Sequence, residues 1–194
     1  ILGETCINNH NSALILGDNI FYGENFQATL YKANKIEDGS VIFAYHVNNP
    51  EDYGIIELNS SGKAISIEEK PDQPKSNYAV TGLYFYDKNV VEYAKEITPS
   101  QRGELEITDI NNIYIKKNKM SVIQLNRGYA WLDTGNHDSL LEAGQFISTI
   151  QKRQGLMLSC PEEIAYHKKW IDENQLLYLA KKNQKNNYGK YLIN

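Results

Sequence analysis

The chain has 194 residues, with 20 basic against 24 acidic side chains and 41% apolar residues. That size suits one domain able to bury a core without disulfide staples, and the apolar content is that of a folded globular protein rather than a disordered one. No run approaches the roughly 20 apolar residues that span a bilayer, and a net charge of −4 without a polybasic block speaks against a nucleic-acid groove.

The chain opens on Ile1-Leu2-Gly3, which is neither an initiating methionine nor the start of a signal peptide. Residues 12–16 (SALIL) form a short continuous apolar run ended by Gly17-Asp18-Asn19. Such a run predicts a strand buried on both faces, as inside a parallel sheet. A strand of that kind needs neighbours on each side, and little sequence precedes it. Either later strands supply both neighbours or, the favoured expectation, part of the sheet is missing at the N-terminus.

Residues 26–36 space Phe26, Leu30 and Ala33 as on a helix, and 41–47 (VIFAYHV) is a β-branched and aromatic strand stopped by Asn48-Asn49-Pro50. Residues 53–58 and 63–70 flank the turn at 59–62 and predict a hairpin. Pro71 and Pro74 bracket a loop, and residues 78–87 are a further strand. Helices are expected at 89–97 and 108–117, the second with Thr108 as its N-cap. A strand at 121–125 and an extended piece at 129–132 follow. Residues 137–154 give the longest helix, with Leu140, Leu141, Ala143, Phe146, Ile147 and Ile150 on one stripe and Gly155 as its stop. Pro161 opens another helix and Asp172 caps one more. The tail at 183–190 is polar and reads as irregular.

Several residues in this frame are candidates for chemistry. Asp18 ends a buried strand, and ligands of open α/β sheets sit beyond the carboxyl ends of strands. A carboxylate there could help hold Mg²⁺, which prefers oxygen ligands and completes its shell with phosphates and water. A turn Asp bonding its own backbone explains the same pattern. Asp133, after Ala130-Trp131-Leu132, stands in the same relation to its strand, although Asp133 or Thr134 could equally serve the turn into the next helix. The two carboxylates could share one metal if their strands are neighbours.

Glu69 and Ile67 share one face of their strand, Glu68 and Lys70 the other. Pro71 biases Lys70 towards an extended backbone, which suits a point-charge clamp on phosphate; a solvated strand end is the bland alternative. Gly54 and Gly82 permit close approach by a ligand or mark bulges. Arg102, in a polar loop, could reach a phosphate or cap a helix. His10, His46, His137 and His167 lack metal-ligand spacing, so no zinc site is expected. The distant Cys6 and Cys160 suggest free thiols in a reducing compartment.

Taken in order, the segments LILGDNIFYG (14–23), VIFAYHVNNPEDYG (41–54), ISIEEKP (65–71), PKSNYAVTGLYFYD (74–87), RGELEITDIN (102–111), RGYAWLDTG (127–135), QGLMLSCPEEIA (154–165) and NNYGKYL (186–192) closely resemble the sugar-phosphate nucleotidylyltransferases. The resemblance covers nearly the whole chain. It implies an α/β, Rossmann-like nucleotidyltransferase fold with a mixed sheet and C-terminal helices. The chain would be a single incomplete domain, with sheet core and site in 1–135 and a helical region in 136–194.

The implied reaction joins glucose 1-phosphate to the α-phosphate of dTTP, giving dTDP-glucose and pyrophosphate for dTDP-rhamnose and polysaccharide biosynthesis. Asp18 and Asp133 would hold Mg²⁺, Lys70 would clamp the sugar phosphate, and Glu69 would bind sugar hydroxyls. Asn19, Gly54 and Val80 would line the sugar pocket, with Trp131, Arg102 and Tyr84 close by. A cytoplasmic homo-oligomer is implied, with neither nucleic acid nor membrane as a partner. The family's opening segment, roughly G-G-x-G-T-R-L followed by a Lys, is absent from these residues. The chain is therefore expected to be inactive alone, a fragment of an enzyme. A natural short protein that binds sugar phosphates or a partner without catalysis is the competing expectation.

Overall fold

A computed structural model describes residues 2–100 and 103–193. The chain divides into two compact units, Ile1–Thr134 and Gly135–Asn194. In the first, α1 (Glu4–Ile7), β1 (Ser12–Ile15), β2 (Asn19–Gly23) and α2 (Phe26–Ala33) precede β3 (Ser40–His46). A 3₁₀ turn at Pro50–Asp52 leads into the hairpin of β4 (Gly54–Leu58) and β5 (Ala64–Glu69). Then come β6 (Tyr78–Tyr86), α3 (Val90–Glu96), α4 (Ile107–Lys116), β7 (Met120–Leu125) and β8 (Tyr129–Asp133).

The main sheet runs β5-β4-β6-β3-β7, with β1 also paired to β6. Among the described residues only β3 and β7 pair in parallel; the other ladders of this sheet are antiparallel. β3 and β6 are mostly apolar, Ser40, His46 and Thr81 apart, because both their faces are covered. Ile42, Tyr84 and Tyr86 join Tyr114, Val90 and Val91 under α3 and α4. Val41, Phe43, Leu83 and Phe85 pack with Ala33, Phe26 and Leu30 under α2 on the opposite face. Each such side chain contributes about 1.5–3 kcal/mol on burial. β2 and β8 form a separate two-stranded ladder, in which Asn19 lies opposite Asp133 and Phe21 opposite Trp131.

Among the described residues, one charged group lies inside this unit. Asp87, 1% exposed, accepts hydrogen bonds from Gly39 N–H at 2.7 Å, Tyr114 OH at 2.8 Å and Asn89 N–H at 2.9 Å. Asn89 Nδ2 donates a fourth at 3.0 Å. The carboxylate thereby ties the start of β3, the end of β6 and both following helices together.

The second unit is helical: α5 (His137–Gln154), α6 (Pro161–His167), α7 (Glu173–Lys182) and α8 (Asn187–Ile193). α5 opens on a capping box between Asn136 and Ser139 and closes on Gly155, whose backbone is left-handed. α7 opens on a second box between Asp172 and Gln175. A small core of Cys160, Ala180 and Leu192 is ringed by Met157, Leu176, Tyr188 and Tyr191. Tyr188 OH donates to Glu162 and accepts from Cys160 Sγ, and Tyr191 OH donates to Glu163.

Several expectations need correction. The run at 12–16 is not a doubly covered parallel strand: β1 pairs antiparallel with β6 alone among the described residues. Leu14, Ile15 and Leu16 are 43%, 57% and 39% exposed. An apolar run registers what a strand can bury, not what covers it. Thr108 does not cap α4, because Glu106 holds that position and Thr108 lies inside the first turn.

On α5, Ala143 is buried whereas Leu140 and Leu141 are 56% and 62% exposed, so the stripe does not mark one buried face. The tail at 183–190 is not irregular throughout. α8 begins at Asn187, where Tyr188, Tyr191 and Leu192 supply the packing that its polar local sequence does not announce. β2 lies where no element is expected from the sequence and owes its pairing to a strand more than a hundred residues on.

Candidate active site

The site is assembled at the Asp18–Asn19 turn of the first unit. There the chain leaves β1, bends with Asn19 N–H donating to Leu16 O, and enters β2. Thr134, just past β8, donates both its N–H and its Oγ1–H to the Asp18 carbonyl, at 2.8 and 2.9 Å. Those bonds and the Asn19–Asp133 register bring the ends of two distant segments together.

The Asn19 side chain is the hub. Its Oδ1 accepts from Gly82 N–H at 2.9 Å and from Trp131 Nε1–H at 2.6 Å. Its Nδ2 donates to Asp18 Oδ1 at 2.8 Å. A Cβ on Gly82 would sit 2.6 Å from Asn19 Oδ1, so glycine is required for this approach. Trp131, 8% exposed, is fixed by Tyr53 and Tyr45, whose ring centroids lie 5.2 and 5.9 Å from its own.

The facing wall comes from the β4–β5 hairpin and α4. Glu69 Oε2 accepts from Thr108 Oγ1 at 2.7 Å, and a Cβ on Gly54 would lie 2.9 Å from that same oxygen. Gly54 thus makes room first for the Glu69 carboxylate. Lys70 is exposed, its N–H donates to the Tyr53 carbonyl at 3.0 Å, and its backbone φ is 43°. The extended backbone expected before Pro71 is therefore overturned. Lys70 turns left-handed as the strand ends, a conformation costing a non-glycine residue about 1–2 kcal/mol. Such strain persists only where its surroundings over-determine it, and it clusters at functional positions.

These walls enclose a cavity of about 200 Å³. Asn19, Gly54, Glu69, Lys70, Val80, Trp131 and Asp133 all border it, and so does Tyr84. Asp18 does not line the cavity wall; it is held beside it by Asn19. Burial, then the nearby Glu69 and Asp18 charges, pushes the Tyr84 phenol well up. Tyr53 is also raised, chiefly by burial, with Asp133 and Asp52 adding to it and a hydrogen bond from Asn49 opposing it. Arg102 lies outside the described residues.

Tyr53 also faces the cavity, as do Thr108, Asn111 and Asp52, whose place there sequence reasoning missed. The available signal was the run I-T-D-I-N-N at 107–112, whose polar residues recur on one side of a helix otherwise fit to bury. No group of three or more His, Cys, Asp or Glu side chains able to hold a metal occurs among the described residues. No helix among them is long and apolar enough to cross a membrane. Chemically, the cavity lining offers the Glu69 and Asp133 carboxylates, the Lys70 ammonium group and the amide and hydroxyl groups of Asn19 and Thr108, with Asp18 beside it on Asn19.

Residues 1–150 match the family described as nucleotidyl transferase. A glucose-1-phosphate thymidylyltransferase of Neisseria meningitidis (serogroup A / serotype 4A) is 52% identical over 193 residues, covering 100% of this chain and 67% of that protein. One from Xanthomonas campestris pv. campestris (strain B100) is 53% identical over 192 residues, covering 99% and 65%. Among solved structures, one described as a Bacillus anthracis glucose-1-phosphate thymidylyltransferase in complex with sucrose superposes with a TM-score of 0.65 at 42% identity, covering 75% of this chain and 57% of that one. The expected nucleotidyltransferase fold, a mixed sheet followed by helices, is borne out. The chain spans about two thirds of the length of the curated relatives it matches.

Proposed function

The chain belongs to the nucleotidyl transferase family, and on that premise we propose that it carries the acceptor and metal side of a glucose-1-phosphate thymidylyltransferase. The reaction transfers dTMP from dTTP to glucose 1-phosphate. A phosphate oxygen of the sugar bonds to the α-phosphorus, the bond from that phosphorus to the bridging oxygen breaks, and pyrophosphate leaves with the electron pair. The observation that carries this reading is the convergence of Asn19, Glu69, Lys70 and Asp133 on one cavity.

Transfer of this kind asks the protein for positioning and charge neutralisation more than for covalent chemistry. Lys70 holds the sugar phosphate as a point charge, its place set by the left-handed backbone. Glu69, oriented by Thr108, accepts hydrogen bonds from sugar hydroxyls. Val80 and Trp131 supply apolar walls that exclude water around the ring, and Asn19 keeps Trp131 in place. The attacking phosphate is already ionised, so no side chain is cast as general base.

Mg²⁺ fits the donor set. Two carboxylates, Asp18 just before β2 and Asp133 at the end of β8, stand at the paired ends of those strands, no cage of three or more His, Cys, Asp or Glu side chains occurs among the described residues, and Mg²⁺ characteristically binds one or two carboxylates plus phosphate and water oxygens. Asp18 and Asp133 would hold it, and a bound Mg²⁺ neutralises developing charge on the phosphates. Two free cysteines, Cys6 and Cys160, support a cytoplasmic setting. Exposed Leu140 and Leu141 on α5 support assembly into a homo-oligomer.

Calorimetric titration of the chain with glucose 1-phosphate tests the reading. Binding is expected, and Lys70→Ala should weaken it by about 1.5–3 kcal/mol, the scale of a hydrogen bond to a charged group. Equal affinity for the two chains would overturn the assignment.

A further inference from the structure

Helix α4 meets strand β5 at two points one helical turn apart. Asn112 donates Nδ2–H to the Ile67 carbonyl at 2.8 Å and accepts the Ile67 N–H on Oδ1 at 3.0 Å. Four residues earlier, Thr108 donates to Glu69; side chains at that spacing share one helix face. β5 is the last strand on its side of the sheet. Along such an edge, alternate residues turn both their peptide groups away from the neighbouring strand. Ile67 is one of these, whereas Lys70, of opposite parity, turns its N–H inward to Tyr53. A side-chain amide presents a donor and an acceptor side by side. Asn112 therefore gives Ile67 what a further strand would have given.

We infer that Asn112 is a positioning residue for Glu69 and Lys70, acting through the Ile67 peptide; this rests on the sugar-phosphate reading of the site. The Ile67 side chain is 5% exposed, held in the core between β4 and α4, so the strand has little freedom to slide. Its peptide is fixed to the helix by Asn112. From that anchor only two residues reach Glu69, about 7 Å of strand, and one more reaches Lys70. The left-handed backbone of Lys70 lies between two fixed points, the Ile67 peptide on α4 and its own N–H on Tyr53. A strand end released from one of them would relax to an ordinary conformation and carry the ammonium group away from the cavity. One helix thus sets both where the strand lies and, through Thr108, how the Glu69 carboxylate is turned.

The test compares the chain with Asn112→Ala, Asn112→Asp, Lys70→Ala and Asn89→Ala. The last loses the side-chain hydrogen bond to Asp87, remote from β5, and serves as a control for stability alone. Three readouts are taken: thermal midpoint, amide hydrogen exchange at Ile67, and affinity for glucose 1-phosphate by calorimetry well below the midpoint. Asn112→Ala should speed exchange at Ile67 and weaken sugar-phosphate affinity roughly tenfold. Asn112→Asp keeps the acceptor for the Ile67 N–H and loses the donor to its carbonyl, so it should fall between. Asn89→Ala should lower the midpoint and leave affinity unchanged.

If Asn112→Ala does not fold, the Asn112→Asp result decides. Parental affinity in both Asn112 variants, with Lys70→Ala weakened, overturns the positioning role and leaves the site reading standing. A loss of affinity in Asn89→Ala as large as in Asn112→Ala also overturns it, because stability alone would then explain the effect. Parental affinity in Lys70→Ala overturns the site reading, and this inference with it.

Discussion

The two halves of α4 use polar side chains in opposite ways. Towards its C-terminal end, Tyr114 donates to Asp87, which Gly39 and Asn89 also serve, and the carboxylate is sealed from water. Towards its N-terminal end, Thr108, Asn111 and Asn112 support an open cavity, where Glu69 and Lys70 meet Asn19 and Asp133. A polar network that closes on itself stabilises the fold and leaves nothing for a ligand. One that converges on open space presents polar groups to whatever enters it, and that is where binding is expected.

The sharpest way to break this comparison is Asp87→Ala. It strands the Gly39 N–H, the Tyr114 hydroxyl and the Asn89 donors, so unfolding stability should fall by about 3 kcal/mol or more, read from urea midpoints. Glucose 1-phosphate affinity, measured where the variant remains folded, should not change. The acid limb sharpens the same point. Burial alone would raise the Asp87 carboxyl, but the bonds from Gly39, Tyr114 and Asn89 outweigh it and hold the group below the ordinary carboxylate value. A carboxyl that binds its proton less readily folded than unfolded makes stability rise with pH. Its contribution is complete above the unfolded value, near pH 4, and disappears as pH falls through the lower folded value. Asp87→Asn should flatten that limb of the stability profile.

A smaller effect is expected within β6. Thr81 is fully buried, and its Oγ1 has no hydrogen-bond partner among the described residues. Replacing the hydroxyl by a methyl in Thr81→Val should stabilise the chain by about 1 kcal/mol; a loss of stability would mean that the hydroxyl is satisfied. The smallest stability change belongs to the open end. Lys70→Gly relieves the left-handed backbone but gives the unfolded chain more freedom, so a gain of no more than about 0.5 kcal/mol is expected. Sugar-phosphate affinity should nevertheless fall as in Lys70→Ala. Stability and binding would then move in opposite directions at one residue.

Much of the fold was legible where local pattern and tertiary demand agree. The strands around Val41 to His46 and Tyr78 to Tyr86 are mostly apolar because helices cover both faces, and the Gly155 and Asp172 signals bound helices as expected. The candidate site was legible as separate residues, Asp18, Glu69, Lys70 and Asp133, each with a bland alternative. Their neighbourhood was not legible. β2 carries no element signal until β8 lies beside it, and Thr108 looks like a cap until the Glu69 carboxylate arrives from another strand.

Composition, periodicity and motif resemblance were enough to determine an α/β chain of the nucleotidyl transferase family, because helix and strand periods and turn chemistry are local properties of the backbone. Tertiary structure alone decided which peptide groups remain unpaired after the strands associate. It decided that Asn112 answers the one at Ile67, that Asn19 links Asp18 to Trp131, and that Lys70 turns left-handed. Hydrogen bonds between groups far apart in sequence carry no local signature; they exist only once the chain has brought both partners to one place.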